Sequence, residues 1–352
     1  MGLPSINVSF VSEGASGIAK AARGTVGLII VDPEEGALAI TSLKHIPDTY
    51  APGNIAYIER AFEGYNSAPR KIIIYAIDDV SNIDDALDYF ETQAIDWLAG
   101  PIETDTAVAG IIADWVKKRR RDHAKVKAVL PNTAADHEGI VNFTTEGITV
   151  GDTIYTTAEY CSRIAGLLAG TSISISCTYA PLYEVTDIER IGYLEMDNAV
   201  DDGELILIHD GVKTKIARGV NSLKTVTDTK KDEWKKIKIV EAVDLIEGDI
   251  RTFMEDEYVG KYANSYDNKC LLMTAIKSYL VSLEALSVLK SGYSDVQIDL
   301  DAHIEYLAGR GVDTTVMSEQ EIKEADTGSH VWLKAKIRVL DAIEDIDLAI
   351  TM

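Results

Sequence analysis

Residues 331–352 read VWLKAKIRVLDAIEDIDLAITM, and how this stretch pairs decides how the fold is completed. Val331, Leu333, Ala335, Ile337 and Val339 put apolar side chains on odd positions, with Lys334, Lys336 and Arg338 on even ones. A period of two with chemically opposite faces predicts a strand, one face dry and the other basic. From Ile346 the apolar set moves to even positions, Ile346, Leu348 and Ile350, opposed by Asp345 and Asp347. A one-residue register slip turns every apolar side chain to the wrong face, so a bend or break is expected within residues 341–344. Two short strands are therefore expected, and the second has no sequence after it to pair with.

The other end of the sequence raises the same question. Ile6, Val8 and Phe10 alternate with Ser5, Asn7 and Ser9, and small residues over 13–17 then break the pattern. This reads as a strand followed by a hinge-like loop. Two outcomes are open. Both end strands pair with the chain's own sheets, or both act as arms that complete a sheet in a neighbouring copy, since exposed strand edges invite such pairing.

With 352 residues, 46% of them hydrophobic, the chain has material for two or three cores. A formal net charge of −23 argues against nucleic acid and against an anionic membrane surface as partners, because both need a basic face. Cys161, Cys177 and Cys270 are too few and too widely spaced for a disulfide framework or a C-x-x-C site, so they are expected as small core residues of a chain made in a reducing compartment. No leader-like segment and no apolar run of membrane-spanning length is expected.

The expected class is α/β, of the multidomain α+β kind. After an arm over 1–20, residues 21–70 read as a small β-rich domain with Pro47, Pro52 and Gly53 in its loops. Residues 71–228 read as a layered α/β core, because strand-like KIIIYAI (71–77) is followed by alternating helix and strand patterns. Ser81 with Asp84 resembles a capping box, and Leu87, Phe90, Ala94, Ile95 and Leu98 form an amphipathic stripe. Val108, Ile111, Ile112, Trp115 and Val116 predict a second helix, with a strand over 126–130, a helix over 156–168, a strand at SISIS (172–176) and a hairpin around 209–211. Residues 229–330 read as a helical domain and 331–352 as the closing strands.

Signatures of catalysis are missing. There is no G-x-x-x-x-G-K-[ST] loop, no G-x-G-x-x-G turn, no G-x-S-x-G elbow, no H-E-x-x-H pair and no EF-hand loop. No cofactor or metal is expected. An enzyme with an unusual active site would draw on Asp78, Asp79 and His209, the two aspartates following a core strand where α/β enzymes place functional groups. Acidic residues entering a helix are equally explained by its dipole. His123 and His137 lack a second ligand at metal spacing, and Asp197, Asp201, Asp202 and Glu204 match no calcium loop. One run opposes the overall charge: Lys117, Lys118, Arg119, Arg120 and Arg121. It reads either as a basic last helical turn or as a positive patch meeting acidic surface on another copy, with residues 241–258 as one counter-surface.

Four stretches together resemble a contractile phage tail sheath protein of the kind found in Gram-positive phages, prophage particles and R-type bacteriocins such as the diffocin type. They are GLPSINVSF (2–10), KTKIARGVNSLKT (213–225), TDTKKDEWKKIKIVEAVDLIEGDIR (227–251) and HVWLKAKIRVLDAIEDIDLAITM (330–352). The resemblance spans essentially the whole chain. It implies a helical homopolymer around an inner tail tube protein, with baseplate and tail terminator proteins as further partners. It also implies terminal strands exchanged between subunits: Ile6, Val8 and Phe10 in one, Ile346, Leu348 and Ile350 in another, added to a sheet in a neighbour's C-terminal domain. Contraction then runs on energy stored at assembly, which fits the missing nucleotide site.

Overall fold

The computed structural model describes residues 24–351, which separate into two compact units: residues 24–244 with 341–351, and residues 245–340. The first unit begins β1 (Thr25–Val31), β2 (Gly36–Ile40), α1 (Pro52–Phe62), β3 (Lys71–Ile77), α2 (Ile83–Glu91), β4 (Trp97–Ala99), α3 (Thr106–Arg121), β5 (Lys127–Pro131) and β6 (Ile140–Phe143). It continues through β7 (Ile148–Val150), β8 (Thr153–Tyr155), α4 (Thr157–Ala169), β9 (Pro181–Leu182), β10 (Val185–Asp187), α5 (Tyr193–Asp201), β11 (Glu204–Leu205), β12 (Leu207–His209) and β13 (Thr214–Ile216), and α6 (Ile237–Phe253) starts in it.

Seven strands form one sheet in the order β11-β6-β5-β4-β1-β3-β2, parallel throughout except for β2 against β3. Helices cover both faces, which is why the strands are near-continuous apolar runs rather than alternating ones. Leu28, Ile30, Ile72 and Ile74 pack against Tyr57 and Ile58 of α1 and Ile164 and Leu167 of α4. Ile29, Ile73 and Ile77 face Ile83, Leu87 and Phe90 of α2 and Ile112 and Trp115 of α3. The α1–α4 contact depends on Gly166, where a Cβ would lie 1.9 Å from the Ala61 carbonyl oxygen. Thr156 and Glu159 close a capping box that starts α4.

Several expectations are corrected here. Residues 25–40, read as part of a separate β-rich unit, supply β1 and β2 of the main sheet, and Pro52 starts a helix by filling a first-turn position whose N–H has no intrahelical partner. The amphipathic stripe running to Leu98 ends at Glu91; Trp97 and Leu98 belong to β4, buried on both sides. The cap of the preceding turn is Asp79, whose carboxylate accepts from Ser81 N at 2.8 Å, rather than Ser81. SISIS forms no strand, since none of the described strands lies beside it as a ladder partner.

The second unit contains the rest of α6, which runs on into a single π-helical turn at Met254–Tyr258, then α7 (Tyr266–Ala285), β14 (Asp295–Ile298), α8 (Leu300–Gly309), α9 (Glu319–Glu324) and β15 (Leu333–Lys336). Leu272, Ile276, Tyr279, Leu280 and Leu283 give α7 its buried stripe. Ile298, Leu307 and Ile322 are likewise buried. Tyr279 donates its hydroxyl to Asp249 Oδ2 at 2.6 Å, satisfying a carboxylate that is almost fully buried.

Candidate functional site

The residues that end the chain divide sharply by environment. β15 pairs antiparallel with β14 in the register Asp295↔Lys336, Val296↔Ala335, Gln297↔Lys334 and Ile298↔Leu333. Directly opposed residues share a face, so Val296, Ile298, Leu333 and Ala335 form an apolar side and Asp295, Gln297, Lys334 and Lys336 a charged one. Pairing continues irregularly through Lys290 N to Arg338 O (2.8 Å), Leu340 N to Val288 O (2.9 Å) and the Leu289↔Val339 bridge. The expected dry face is only half covered: Leu333, Ile337 and Val339 are half-buried, whereas Val331 and Ala335 are exposed. The reason is that β14 and β15 make a sheet of just two strands among the described residues.

The second expected strand is not formed. No described strand pairs with residues 341–351. Ile346, Leu348 and Ile350 stand 79%, 78% and 78% exposed, on positions that alternate with Asp345, Asp347, Ala349 and Thr351. A strand is stable only against a partner, and none of the described residues supplies one here. Ile6, Val8 and Phe10 lie outside the described residues.

The basic run divides as well. It forms the last turn of α3, where cations favour the negative end of the helix dipole. Arg120 is corrected from a surface contact to an internal one. Its side chain is 7% exposed and grips Asp244 with two hydrogen bonds, 2.7 and 2.9 Å, with Glu138 Oε1 at 3.6 Å. Lys127 approaches the same Asp244 carboxylate at 3.2 Å and Glu241 at 2.9 Å, over the ring of Trp97. Lys230 closes on Glu138 at 2.6 Å. Thus part of the acidic stretch expected to meet the basic run from another copy meets it within one chain. Gly139 makes room, because a Cβ there would come within 2.4 Å of the Arg120 side chain. Lys117, Lys118, Arg119 and Arg121 remain nearer the surface; Lys118 lies 3.7 Å from Glu91, and Arg119 donates to the Glu91 carbonyl at 2.9 Å.

Titration within this cluster follows its geometry. Burial opposes charge on Arg120, but hydrogen bonds and attraction from Asp244 and Glu138 outweigh it and hold the guanidinium more firmly charged than usual. Burial also pushes against the charge on Asp244 and Glu138, yet Lys127 with Arg120, and Lys230 with Arg120, hold both carboxyls below the usual range. Burial lowers His137 to about 4, with nearby cations adding to the effect against Glu138. The imidazole is therefore neutral near pH 7, and its 3.7 Å approach to Glu138 is no ion pair there. Its Nδ1 accepts from Gly139 N at 3.0 Å.

The other candidates take local roles. Asp78 accepts from Asn82 Nδ2 at 2.6 Å, Asp79 caps the turn before α2, and His209 Nδ1 accepts from Gly211 N at 3.0 Å in the β12–β13 hairpin. Glu204 accepts from Thr144, while Asp202 pairs with Lys224. His123 occupies a left-handed turn with φ 66°. Among the described residues no group of three or more His, Cys, Asp or Glu side chains is placed to hold a metal ion, and no helix is long and apolar enough to cross a membrane.

Among the described residues the apolar terminal segment has no strand partner, and the candidate catalytic residues take local hydrogen-bonding roles. The chain belongs to the phage tail sheath family: the phage tail sheath protein central domain matches residues 79–222 and the phage tail sheath C-terminal domain residues 229–352. The tail sheath protein of Clostridium phage phiCD119 is 37% identical over 357 residues, covering 100% of this chain and 99% of the relative. The fold is shared with a sheath tail protein of Desulfitobacterium hafniense, with TM-score 0.69 and 17% identity over 84% of this chain and 94% of that one. It is also shared with the helical sheath of the anti-feeding prophage in its contracted state, with TM-score 0.72 and 14% identity over 100% and 99% of the two chains. The protein is thus a structural tail sheath subunit, a component of a phage tail or prophage particle.

Proposed function

We propose that this chain polymerises helically around an inner tube by donating residues 346–351 as a strand to the β14–β15 sheet of a neighbouring copy. The observation that carries the proposal is a complementarity within one chain. Ile346, Leu348 and Ile350 occupy alternate positions at 78–79% exposure, and β14–β15 is, among the described residues, a two-stranded sheet with a half-covered apolar face. Two strands alone are marginal in water, and a third adds main-chain hydrogen bonds while alternate apolar side chains set register. Covering the three side chains contributes about 1.5–3 kcal/mol each, opposed by the cost of ordering the arm. A donor on one copy and an acceptor on the next is a heterologous contact, which builds open helices rather than closed rings.

Contraction is then a passage between two packings of the same subunits, driven by energy stored at assembly and without nucleotide or catalysis. The solved anti-feeding prophage relatives, described as a helical sheath in the contracted state and a baseplate, support this reading. The tube, baseplate and tail terminator proteins are the partners, and the particle forms in the bacterial cytoplasm before release by lysis. The same arm reading extends to Ile6, Val8 and Phe10 on their alternation alone. Lys117, Lys118, Arg119 and Arg121 contribute contacts between copies, and Arg120 is excluded from that role by its burial.

Negative-stain microscopy of the overproduced chain tests the proposal. The full chain gives tubes of uniform width, and removal of residues 346–352 leaves dispersed particles. Tubes that persist without those residues refute strand donation.

A further inference from the structure

Within the exposed terminal segment one side chain is withdrawn from water. Ile343 is 86% exposed and the Asp345 side chain 81%, yet the Glu344 side chain between them is only 4% exposed. Its Oε1 accepts from Thr178 Oγ1 at 2.5 Å and Ser176 Oγ at 3.2 Å, and its Oε2 meets Lys236 Nζ at 3.0 Å with Arg218 Nε at 4.0 Å. These partners are prepared for it. Thr178 Oγ1 also accepts from Gly219 N at 2.9 Å, which turns its own hydrogen toward the carboxylate. Gly219 lets the two segments lie close, since a Cβ there would fall 2.7 Å from Cys177 Sγ. On either side, Asp341 pairs with Lys236 and Asp345 with Arg218, each at 2.5 Å.

We infer that Glu344 plugs a polar socket on its own subunit and so fixes the point from which the donated arm departs. The role in assembly rests on the strand-donation reading above. Residues 341–345 travel with the first unit, and the segment from Ile346 onward is the part of this arm left to reach another copy. Residues 346–351 span about 20 Å when extended, so the stretch of sheet edge that they pair with lies within that distance of the socket. Anchoring the base of the arm raises its effective concentration at that edge, as a short tether does for any second binding event. A buried carboxylate also discriminates: an arm displaced by one residue would present Ile343 or Asp345 to hydroxyls and cations arranged for a glutamate.

The test separates the socket from the strand. In the full-length chain carrying Leu348→Asp, which keeps subunits apart if strand donation holds, exposed carboxylates are labelled with carbodiimide and an amine and read by mass spectrometry. Glu344 should label at least tenfold more slowly than Asp347, and adding Lys236→Met should remove most of that difference. In the otherwise natural chain, Glu344→Ala should raise the concentration needed for polymers about tenfold, and Glu344→Lys with Lys236→Glu should recover part of the loss. Glu344 labelling as fast as Asp347 overturns the socket. So does Glu344→Ala assembling at the unmodified concentration while loss of residues 346–352 abolishes polymers. Assembly indifferent to both changes overturns strand donation instead, and the labelling ratio still decides the socket.

Discussion

Replacing Arg120 by Met separates an internal role for the basic run from an external one. Met keeps most of the length and apolar contact of the side chain and removes the charge. What remains is Asp244, its side chain 6% exposed and stripped of two hydrogen bonds at 2.7 and 2.9 Å, and Glu138 with one cation fewer. Removing one partner of a buried pair costs about 3–5 kcal/mol, because the other charge stays desolvated. Lys127 at 3.2 Å still compensates Asp244, and Lys230 at 2.6 Å still compensates Glu138, which places the expected loss near the lower end, about 3 kcal/mol. Arg121→Met, at an exposed position of the same turn, should cost less than about 0.5 kcal/mol. The assay is urea unfolding followed by tryptophan fluorescence in the Leu348→Asp background, with Trp97 beside Lys127 as a local reporter. Equal losses for the two variants, or an Arg120→Met chain within 0.5 kcal/mol of its parent, would refute the internal reading.

Acid should weaken the same cluster in two stages. His137 is neutral in the fold down to about pH 4, while the unfolded chain takes up the proton near 6.5, so stability falls as pH drops from 6.5 to 4, by about 3 kcal/mol at most. Glu138 and Asp244, held below the usual carboxyl range, add a further loss that begins as pH falls below the ordinary carboxyl value and is complete once it has passed through their lowered ones. Unfolding free energies measured from pH 7.5 to 4.5 should show the first slope, and His137→Gln should flatten it; an unchanged slope contradicts the assignment. Gly166→Ala should destabilise the first unit by at least about 1–3 kcal/mol, since the added methyl meets the Ala61 carbonyl and α4 must shift from α1; a thermal midpoint equal to the parent's would count against that packing.

Much of the α/β core was readable because its signals are local. KIIIYAI, with the alternating helix and strand patterns after it, pointed to a layered α/β core, and it forms β3 of the seven-stranded sheet. The helix at Thr157–Ala169 came within a residue of its expected span, and the structure adds the capping box that starts it. Errors arose where a local pattern served two masters. Trp97 and Leu98 extend the helical spacing of α2, but the turn at 92–96 ends the helix and the same residues fill a strand. Pro52 marks a loop or a helix start, and only the apolar set of α1 packing on β1 and β3 decides between them. In the site, the alternation of Ile346, Leu348 and Ile350 was legible, whereas the Glu344 socket was not, because its partners lie 108 and 166 residues away in sequence. The pairing of Arg120 with Asp244 was half legible: the two charge runs were matched, but a sequence does not say whether opposite charges meet within a chain or between chains.

Strand donation is tested most directly by a cryo-electron microscopy reconstruction of the tubes formed by the full chain. Residues 346–351 should appear as a strand hydrogen-bonded to the β14–β15 sheet of a different subunit, with Glu344 still seated against Lys236 of its own. Density that carries those residues back onto their own subunit, or leaves β14–β15 two-stranded in the polymer, would contradict the account.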